Sequence, residues 1–334
     1  MSRLGIQRIG VVGGGAWGTA VAQAAVRAGR SVVLWAREAD VVEAIGLRHE
    51  NTLFLPGIPL DPALRATGRL ADVDGTEAVL LVAPAQYLRA VCLLLAPDLP
   101  AGVPVVICAK GVEADSCALM TEVAAAVLPH TPLAVLSGPT FAVEVARGLP
   151  TAVTLACADS EIGRRLVAAL GSREFRPYLS NDMVGSQIGG AAKNVLAIAC
   201  GVAKGRGYGG DNAHAALITR GLAEIVRLGL TLGGRAETLM GLSGLGDLTL
   251  TCSSHQSRNM SLGFELGKGR TLASILAERQ SVAEGVHSAA AVVALASRVG
   301  VDMPICQAVD AVLNRGCTVI EAVEGLLKRP FRNE

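Results

Sequence analysis

Short apolar runs alternate with helically spaced stretches through the first half of the chain. The pattern predicts strands at Arg8–Val12, Ser31–Trp35, Ala78–Ala83, Val103–Ala109, Leu133–Leu136 and Thr151–Ala156, with a last short one at Phe175–Tyr178. Helices are predicted between several of them, at Trp17–Ala28, Asp40–His49, Gln86–Leu95 and Cys117–Leu128. Such alternation argues for a parallel sheet with helices on both faces. After Ser180-Asn181-Asp182 the strand signals stop, and Met183–Lys204, Asn212–Leu232, Ser288–Val299 and Ile305–Leu313 carry helical spacing. Asp211 is placed to cap the second of these and Gly233-Gly234 to stop it. Two domains are expected: an α/β domain over 1–181 and an all-helical domain over 182–334.

Composition narrows the class. Of 334 residues 51% are hydrophobic but only 3% aromatic, so small aliphatics must fill a large core. A net charge of +1 gives no argument for nucleic acid or an anionic membrane surface. No apolar run approaches the roughly 18 residues of a spanning helix, so no membrane insertion is expected. Residues 1–8 lack the apolar stretch and cleavage site of a secretion signal. The eight cysteines are scattered, with no C-x-x-C pair, which fits reduced thiols in a cytoplasmic protein. The five histidines are dispersed, and no metal site is expected.

Candidate chemistry begins at Ile9-Gly10-Val11-Val12-Gly13-Gly14-Gly15-Ala16-Trp17-Gly18, a strand running into a G-x-G-x-x-G turn and a helix. Gly13 allows the tight turn, Gly15 lets backbone N–H groups approach a pyrophosphate, and Gly18 lets the helix pack on the strand. The N-terminal half therefore reads as a Rossmann-type doubly wound sheet that binds a dinucleotide, followed by the helical domain. At the end of the second strand stands Trp35-Ala36-Arg37-Glu38. Arg37 can pair with a 2′-phosphate, which favours NADP(H). Glu38 beside it keeps NAD(H) open, and Arg37 can equally be a solvated surface residue.

Lys193 is the second anchor. It lies in a predicted helix of small and apolar residues, and its neighbours three and four positions away are Gly189, Gly190, Leu196 and Ala197. None can neutralise an ammonium, so its head either reaches water or meets a partner from elsewhere. Lys110 follows a buried strand, at the end where ligands bind in open α/β sheets. Ser137-Gly138-Pro139-Thr140-Phe141-Ala142 follows another strand. Asp247, among glycines and aliphatics, is either a helix cap or the partner of a buried cation. Ser257-Arg258-Asn259 precedes a predicted helix, Met260–Leu266, whose N-terminus suits a phosphate. Asn194 is unfavourable inside a helix, so it serves either a ligand or the local backbone.

Taken in order, GGGAWGTA, LVAPAQ, AKGVE, SGPTFAVEVARGLPTA, GGAAKNVLAIA, ALITRGLAE, GLSGLGDLTLTC, QSRN and VAEGV resemble the bacterial NAD(P)-dependent sn-glycerol-3-phosphate dehydrogenase family over nearly the whole chain. The resemblance implies reduction of dihydroxyacetone phosphate to sn-glycerol 3-phosphate, the backbone of glycerophospholipids. It makes Lys193 the catalytic lysine and Lys110 the second lysine of the substrate site. Asp247 and Thr251 fall around the reacting oxygen, and Ser257, Arg258 and Asn259 at the phosphate. Gly138, Thr140 and Ala142 fall beside substrate and nicotinamide, and Ala16, Trp17, Arg37, Val282 and Glu284 at cofactor positions, with Lys110 and Arg258 near both ligands. Ala16 departs from the relatives that carry Ser there.

The expected mechanism has a protonated Lys193, held by Asp247, polarising a carbonyl while Arg258 clamps the phosphate. It requires these distant segments to converge. The rivals are a β-hydroxyacid or 6-phosphogluconate type dehydrogenase, with a carboxylate substrate, and a non-catalytic NADP(H) sensor. Asn212–Leu232 is apolar on several sides, a pattern that fits a homodimer interface or a domain core alike.

Overall fold

The computed structural model describes residues 5–208, 210–279 and 283–330. Val282, an expected cofactor contact, and residues 1–4 of the N-terminal stretch lie outside them. The strands are β1 (Arg8–Val12), β2 (Ser31–Trp35), β3 (Arg65–Thr67), β4 (Ala78–Leu81), β5 (Val105–Ile107), β6 (Leu133–Ser137), β7 (Thr151–Cys157) and β8 (Phe175–Ser180). The helices are α1 (Ala16–Arg27), α2 (Ala39–Arg48), α3 (Leu88–Leu95), α4 (Met120–Val127), α5 (Ala142–Arg147), α6 (Ser160–Leu170), α7 (Met183–Gly205) and α8 (Asp211–Thr231). They continue as α9 (Ala236–Leu239), α10 (Asp247–Ser253), α11 (Arg258–Gly267), α12 (Leu272–Ala277), α13 (Glu284–Arg298), α14 (Pro304–Asn314) and α15 (Val319–Leu327).

All eight strands join one sheet in the order β3-β2-β1-β4-β5-β6-β7-β8. Strands β1 to β6 run parallel, and the order reverses between β1 and β4. Register aligns Val12 with Trp35 and Leu81, Leu81 with Ile107, and Ile107 with Val135. The turns after β1, β5 and β6 therefore leave by one edge of the sheet, the edge where open α/β sheets bind ligands. Strands β4 and β5 are buried at every position, which their continuous Val, Leu, Ile and Ala runs require.

The chain divides into two compact units. One holds the chain up to Lys110 together with Leu119–Ser186, and carries the sheet. The other holds Gly111–Ala118 and the chain from Gln187 on, and is helical. The segment Gly111–Ala118, within the first half of the sequence, thus groups with the helices.

Three details differ from the sequence-based expectation. Strand β7 is antiparallel to β6, and β8 parallel to β7. The connection between β6 and β7, 138–150, holds only the six-residue α5, near the lower limit of about a dozen residues for a parallel crossover. Helix α8 is preceded by Gly210, and Asp211 is its first helical residue without a side-chain cap bond. An N-cap needs extended backbone; Asp211 instead places its charge in the first turn, against the helix dipole. Gly233 does end the helix, in left-handed backbone at φ 89°. Finally, β3 and the helices α5, α6, α9, α10, α12 and α15 were not foreseen. Helix α6 has a side-chain cap: Asp159 accepts from Glu161 N and Ile162 N.

Candidate active site

The sheet unit carries the dinucleotide turn. Gly13 has φ 127°, and a Cβ there would stand 2.9 Å from the Val82 carbonyl oxygen. A Cβ on Gly18 would run into the Gly13 carbonyl, so α1 can lie this close to β1 only with glycine there. Gly15 precedes α1, and no side chain caps the first turn, which leaves its N–H groups open to an anion. Trp17 Nε1 is shielded from solvent without a hydrogen-bond partner. Arg37 lies just past β2, exposed, 3.1 Å from Glu38. These features fit a dinucleotide.

One residue that sequence reasoning missed supports the turn from behind. Asn51 is fully buried. Its Nδ2 donates to the Gly14 carbonyl and to Thr19 Oγ1, both at 2.8 Å, and its Oδ1 accepts from Phe54 N at 3.0 Å. A lone Asn in a loop carries no pattern that distinguishes it from an ordinary turn residue.

Past β5 and β6 the same unit gathers three expected residues. Lys110 Nζ donates to the Gly138 carbonyl at 3.0 Å and lies 3.5 Å from Thr140 Oγ1. Thr140 Oγ1 donates to the Gly138 carbonyl at 3.2 Å. Gly138 has φ 145°, and a Cβ there would be 3.0 Å from Val153 Cα. Ala142 opens α5 directly after this loop.

The helical unit carries the second cluster. Lys193, 7% exposed on α7, places Nζ 2.5 Å from Oδ1 of Asp247, which has no exposed surface. Nζ also donates to Thr251 Oγ1 at 3.0 Å, and that hydroxyl donates to the Asp247 carbonyl at 2.6 Å. Asp247 is thus the partner of a buried cation, and it opens α10. A π-helical turn, Leu242–Gly246, delivers it there. This turn reaches α7 because Gly189 has no side chain: a Cβ would come within 2.8 Å of Gly244 Cα. The wider helical turn is common at functional sites. Removing one member of a buried ion pair typically costs about 3–5 kcal/mol.

Asn194 and Asn259 meet in the same unit, with Asn259 Nδ2 donating to Asn194 Oδ1 at 2.9 Å. Ser257 caps α11 by accepting from Met260 N at 3.2 Å. Arg258 follows in the first helical turn with an exposed side chain, and Glu284 opens α13. Behind Lys193, Cys200 and Cys252 are both buried, and their contact together with burial pushes the Cys252 thiol well up. Among the described residues no three His, Cys, Asp or Glu side chains come together as a metal site. No described helix is long and apolar enough to cross a membrane.

Comparison with known proteins places this geometry in a family. Residues 8–163 match the family described as NAD-dependent glycerol-3-phosphate dehydrogenase N-terminus, and residues 182–324 match its C-terminus. A glycerol-3-phosphate dehydrogenase (NAD(P)+) of Rhodospirillum rubrum is 64% identical over 330 residues, covering 98% of this chain and 94% of that one. One from Parvibaculum lavamentivorans is 57% identical and covers 99% of both. The crystal structure of glycerol-3-phosphate dehydrogenase from Coxiella burnetii superposes with a TM-score of 0.93 at 38% identity, over 97% of this chain and 99% of that one.

Proposed function

Because the chain belongs to the NAD-dependent glycerol-3-phosphate dehydrogenase family, we propose that it interconverts dihydroxyacetone phosphate and sn-glycerol 3-phosphate, with Lys193 as general acid and base. The nicotinamide cofactor, when bound, supplies the hydride. The N–H groups at the start of α1 hold its pyrophosphate, with Trp17, Ala142, Val282 and Glu284 as further contacts. Arg37 favours NADP(H), while its pairing with Glu38 leaves NAD(H) usable.

The observation that carries the reading is the buried Lys193–Asp247 pair, 54 residues apart in sequence and 2.5 Å apart in space. An ammonium held by a carboxylate and a hydroxyl has little freedom to turn, so its position is fixed in advance. Placed at the substrate carbonyl, it stabilises the charge that develops on oxygen and then delivers the proton. In the reverse direction it accepts that proton. Lys110, with Gly138 and Thr140, is assigned to substrate binding as well. Arg258, Ser257 and Asn259 form the phosphate seat at the start of α11, and Asn194 contributes beside Lys193. Binding energy from the phosphate orients the reacting carbon. We further assign residues 1–181 to cofactor binding and 182–334 to substrate and catalysis, in a cytoplasmic homodimer that supplies the glycerophospholipid backbone.

The test is a substrate panel followed by NADPH absorbance. Dihydroxyacetone phosphate should be turned over, and oxo acids should not. Lys193→Ala should lower kcat by about 10²–10⁴-fold, with NADPH binding by fluorescence retained. Preference for an oxo acid, or near wild-type turnover by Lys193→Ala, would remove the assignment.

A further inference from the structure

In a sheet of this order a dinucleotide places its adenosine ribose past the end of β2, and β3 is the next strand outward. The loop after β3 is pinned to the end of β2. Register aligns Trp35 with Thr67. Ala36 N donates to the Thr67 carbonyl at 3.0 Å, and Trp35 Nε1 donates to the Gly68 carbonyl at 3.2 Å. Arg37 and Arg69 each stand two residues past the aligned pair. Two neighbouring strands are thus followed by an arginine at the same offset.

The main chain of Arg69 is held on both sides. Its N–H donates to Thr67 Oγ1 at 3.1 Å, and its carbonyl accepts from Asp72 N at 3.1 Å. Thr67 is buried, and its hydroxyl donates to Asp72 Oδ2 at 2.6 Å. The side chain that this turn presents is 82% exposed. Its Nε lies 3.8 Å from Asp72 Oδ1, beyond hydrogen-bond length. Arg65 Nη2 stands 4.0 Å from Oδ2 of the same carboxylate. Arg37 is 80% exposed and meets Glu38 at 3.1 Å. Exposed ion pairs of this kind are worth little, so neither Arg37 nor Arg69 is committed to its carboxylate. Among the described residues, the ion pairs around these two strand ends join three arginines to two carboxylates. A surplus of guanidinium suits an anion better than the neutral hydroxyls of a ribose.

We infer that Arg69 is a specificity-determining residue: with Arg37 it forms a two-sided seat for the 2′-phosphate of NADP(H), one guanidinium from each strand end. This rests on the proposed reading that Arg37 favours NADP(H), and adds the second arm. A phosphate monoester carries a charge of about −1.5 to −2 at pH 7 and three strong acceptor oxygens. One planar guanidinium engages two oxygens at once, so a second, from the neighbouring strand, has an oxygen and a charge left to meet. NADH brings an uncharged hydroxyl to the same place and gains little from the second arginine. Discrimination between the two cofactors follows from that difference.

Calorimetric binding without substrate tests this, with NADPH and NADH as ligands and 2′,5′-ADP and 5′-AMP as their fragments. Arg69→Gln should raise the Kd for NADPH and for 2′,5′-ADP by about tenfold. The Kd for NADH and for 5′-AMP should move by less than about twofold. Arg69→Lys keeps the charge but loses the planar fork, so its Kd for NADPH should fall between those of the wild type and Arg69→Gln. Equal losses for NADPH and NADH would show that Arg69 only shapes the strand end. An unchanged Kd for NADPH would leave it a solvated surface arginine. Either result overturns the inference. Arg37→Gln separates it from the reading beneath. If Arg37→Gln loses NADPH selectively and Arg69→Gln does not, the second arm is refuted and Arg37 keeps its role. If neither variant distinguishes NADPH from NADH, both assignments fall. Selective loss in both variants, in a protein that never reduces dihydroxyacetone phosphate, would defeat the proposed reaction and leave the seat standing.

Discussion

Every polar atom of the Asn51 side chain is engaged, and two of its bonds hold the glycine turn after β1 and the first turn of α1. Its donors fix the Gly14 carbonyl and Thr19 Oγ1, so the peptide between Gly14 and Gly15 cannot rotate freely. That rotation would turn N–H groups away from a bound phosphate. Asn51→Ala removes the donor shared by the Gly14 carbonyl and Thr19 Oγ1 and the acceptor of Phe54 N in a buried site, at a cost to stability of about 1–3 kcal/mol. It should also weaken NADPH binding by roughly tenfold, since about 1.4 kcal/mol separates each decade of affinity. Thermal melting and a fluorescence titration check the two effects separately. A lowered melting temperature with unchanged Kd would reduce Asn51 to a structural role. Residues of this kind mark the limit of what one sequence discloses. Lys193 was legible because an ammonium in an apolar helix is anomalous wherever its partner lies. Asp247 was legible only as one of two alternatives, since a cap and an ion-pair partner look alike until the chain folds. Asn51 and the Asn194–Asn259 bond were not legible at all, because they depend on which loops meet.

At the scale of elements, apolar runs carried the prediction as far as burial did. Strands β1 and β2 fall on the expected residues: β1 is buried from Ile9 on, and β2 alternates buried Val32 and Leu34 with more exposed positions, yet both keep a run of aliphatics. Strand β3 is three residues, Arg65–Thr67, two of them polar, and lies at the sheet edge, so it leaves no run to find. The antiparallel direction of β7 is likewise silent, since burial does not depend on strand direction. Helix α14 shows a further device that spacing cannot reveal. Its N-terminus has no side-chain cap from Met303, and Pro304 occupies the first turn. Glu224 on α8 supplies the cap instead, with Oε1 accepting from Ile305 N at 2.7 Å and Oε2 from Cys306 N at 3.2 Å. Burial raises the Glu224 carboxyl above its ordinary 4.5, against the downward pull of these two N–H groups and Arg227. A carboxyl raised in the fold favours the protonated form there. Its contribution is therefore complete below about pH 4.5 and is lost as pH rises through the raised value, at about 1.4 kcal/mol per pH unit of that window. Glu224→Gln does not titrate. The melting temperature of the wild type minus that of Glu224→Gln should fall as pH rises from 4 toward 8, and a flat or rising difference would contradict the burial argument.

Across the whole molecule, a chain with 3% aromatic residues fills its interior with small aliphatics and thiols. Six of the eight cysteines, Cys92, Cys108, Cys157, Cys200, Cys252 and Cys306, are buried, while Cys117 and Cys317 are half-buried. All eight are free thiols. Burial pushes Cys92 up to about 11 and Cys108 up to about 12, and moves Cys157 and Cys306 upward as well. Only a thiolate attacks a disulfide reagent, so these groups are protected twice, by access and by protonation. They behave as compact apolar fillers, a use that small volume and polarisable sulfur suit. In the folded protein at pH 8, two thiols, Cys117 and Cys317, should react with an aromatic disulfide in a fast phase. The remaining six should react in a slow phase whose rate follows the opening of the structure around them. In denaturant without reductant all eight should titrate at once. Cysteine-specific mass mapping after a short exposure assigns the fast pair. A third fast thiol would show that one of the buried six is reached without unfolding. A total below eight in denaturant would show a disulfide, and the interior would then be held by a covalent tie instead of by packing alone.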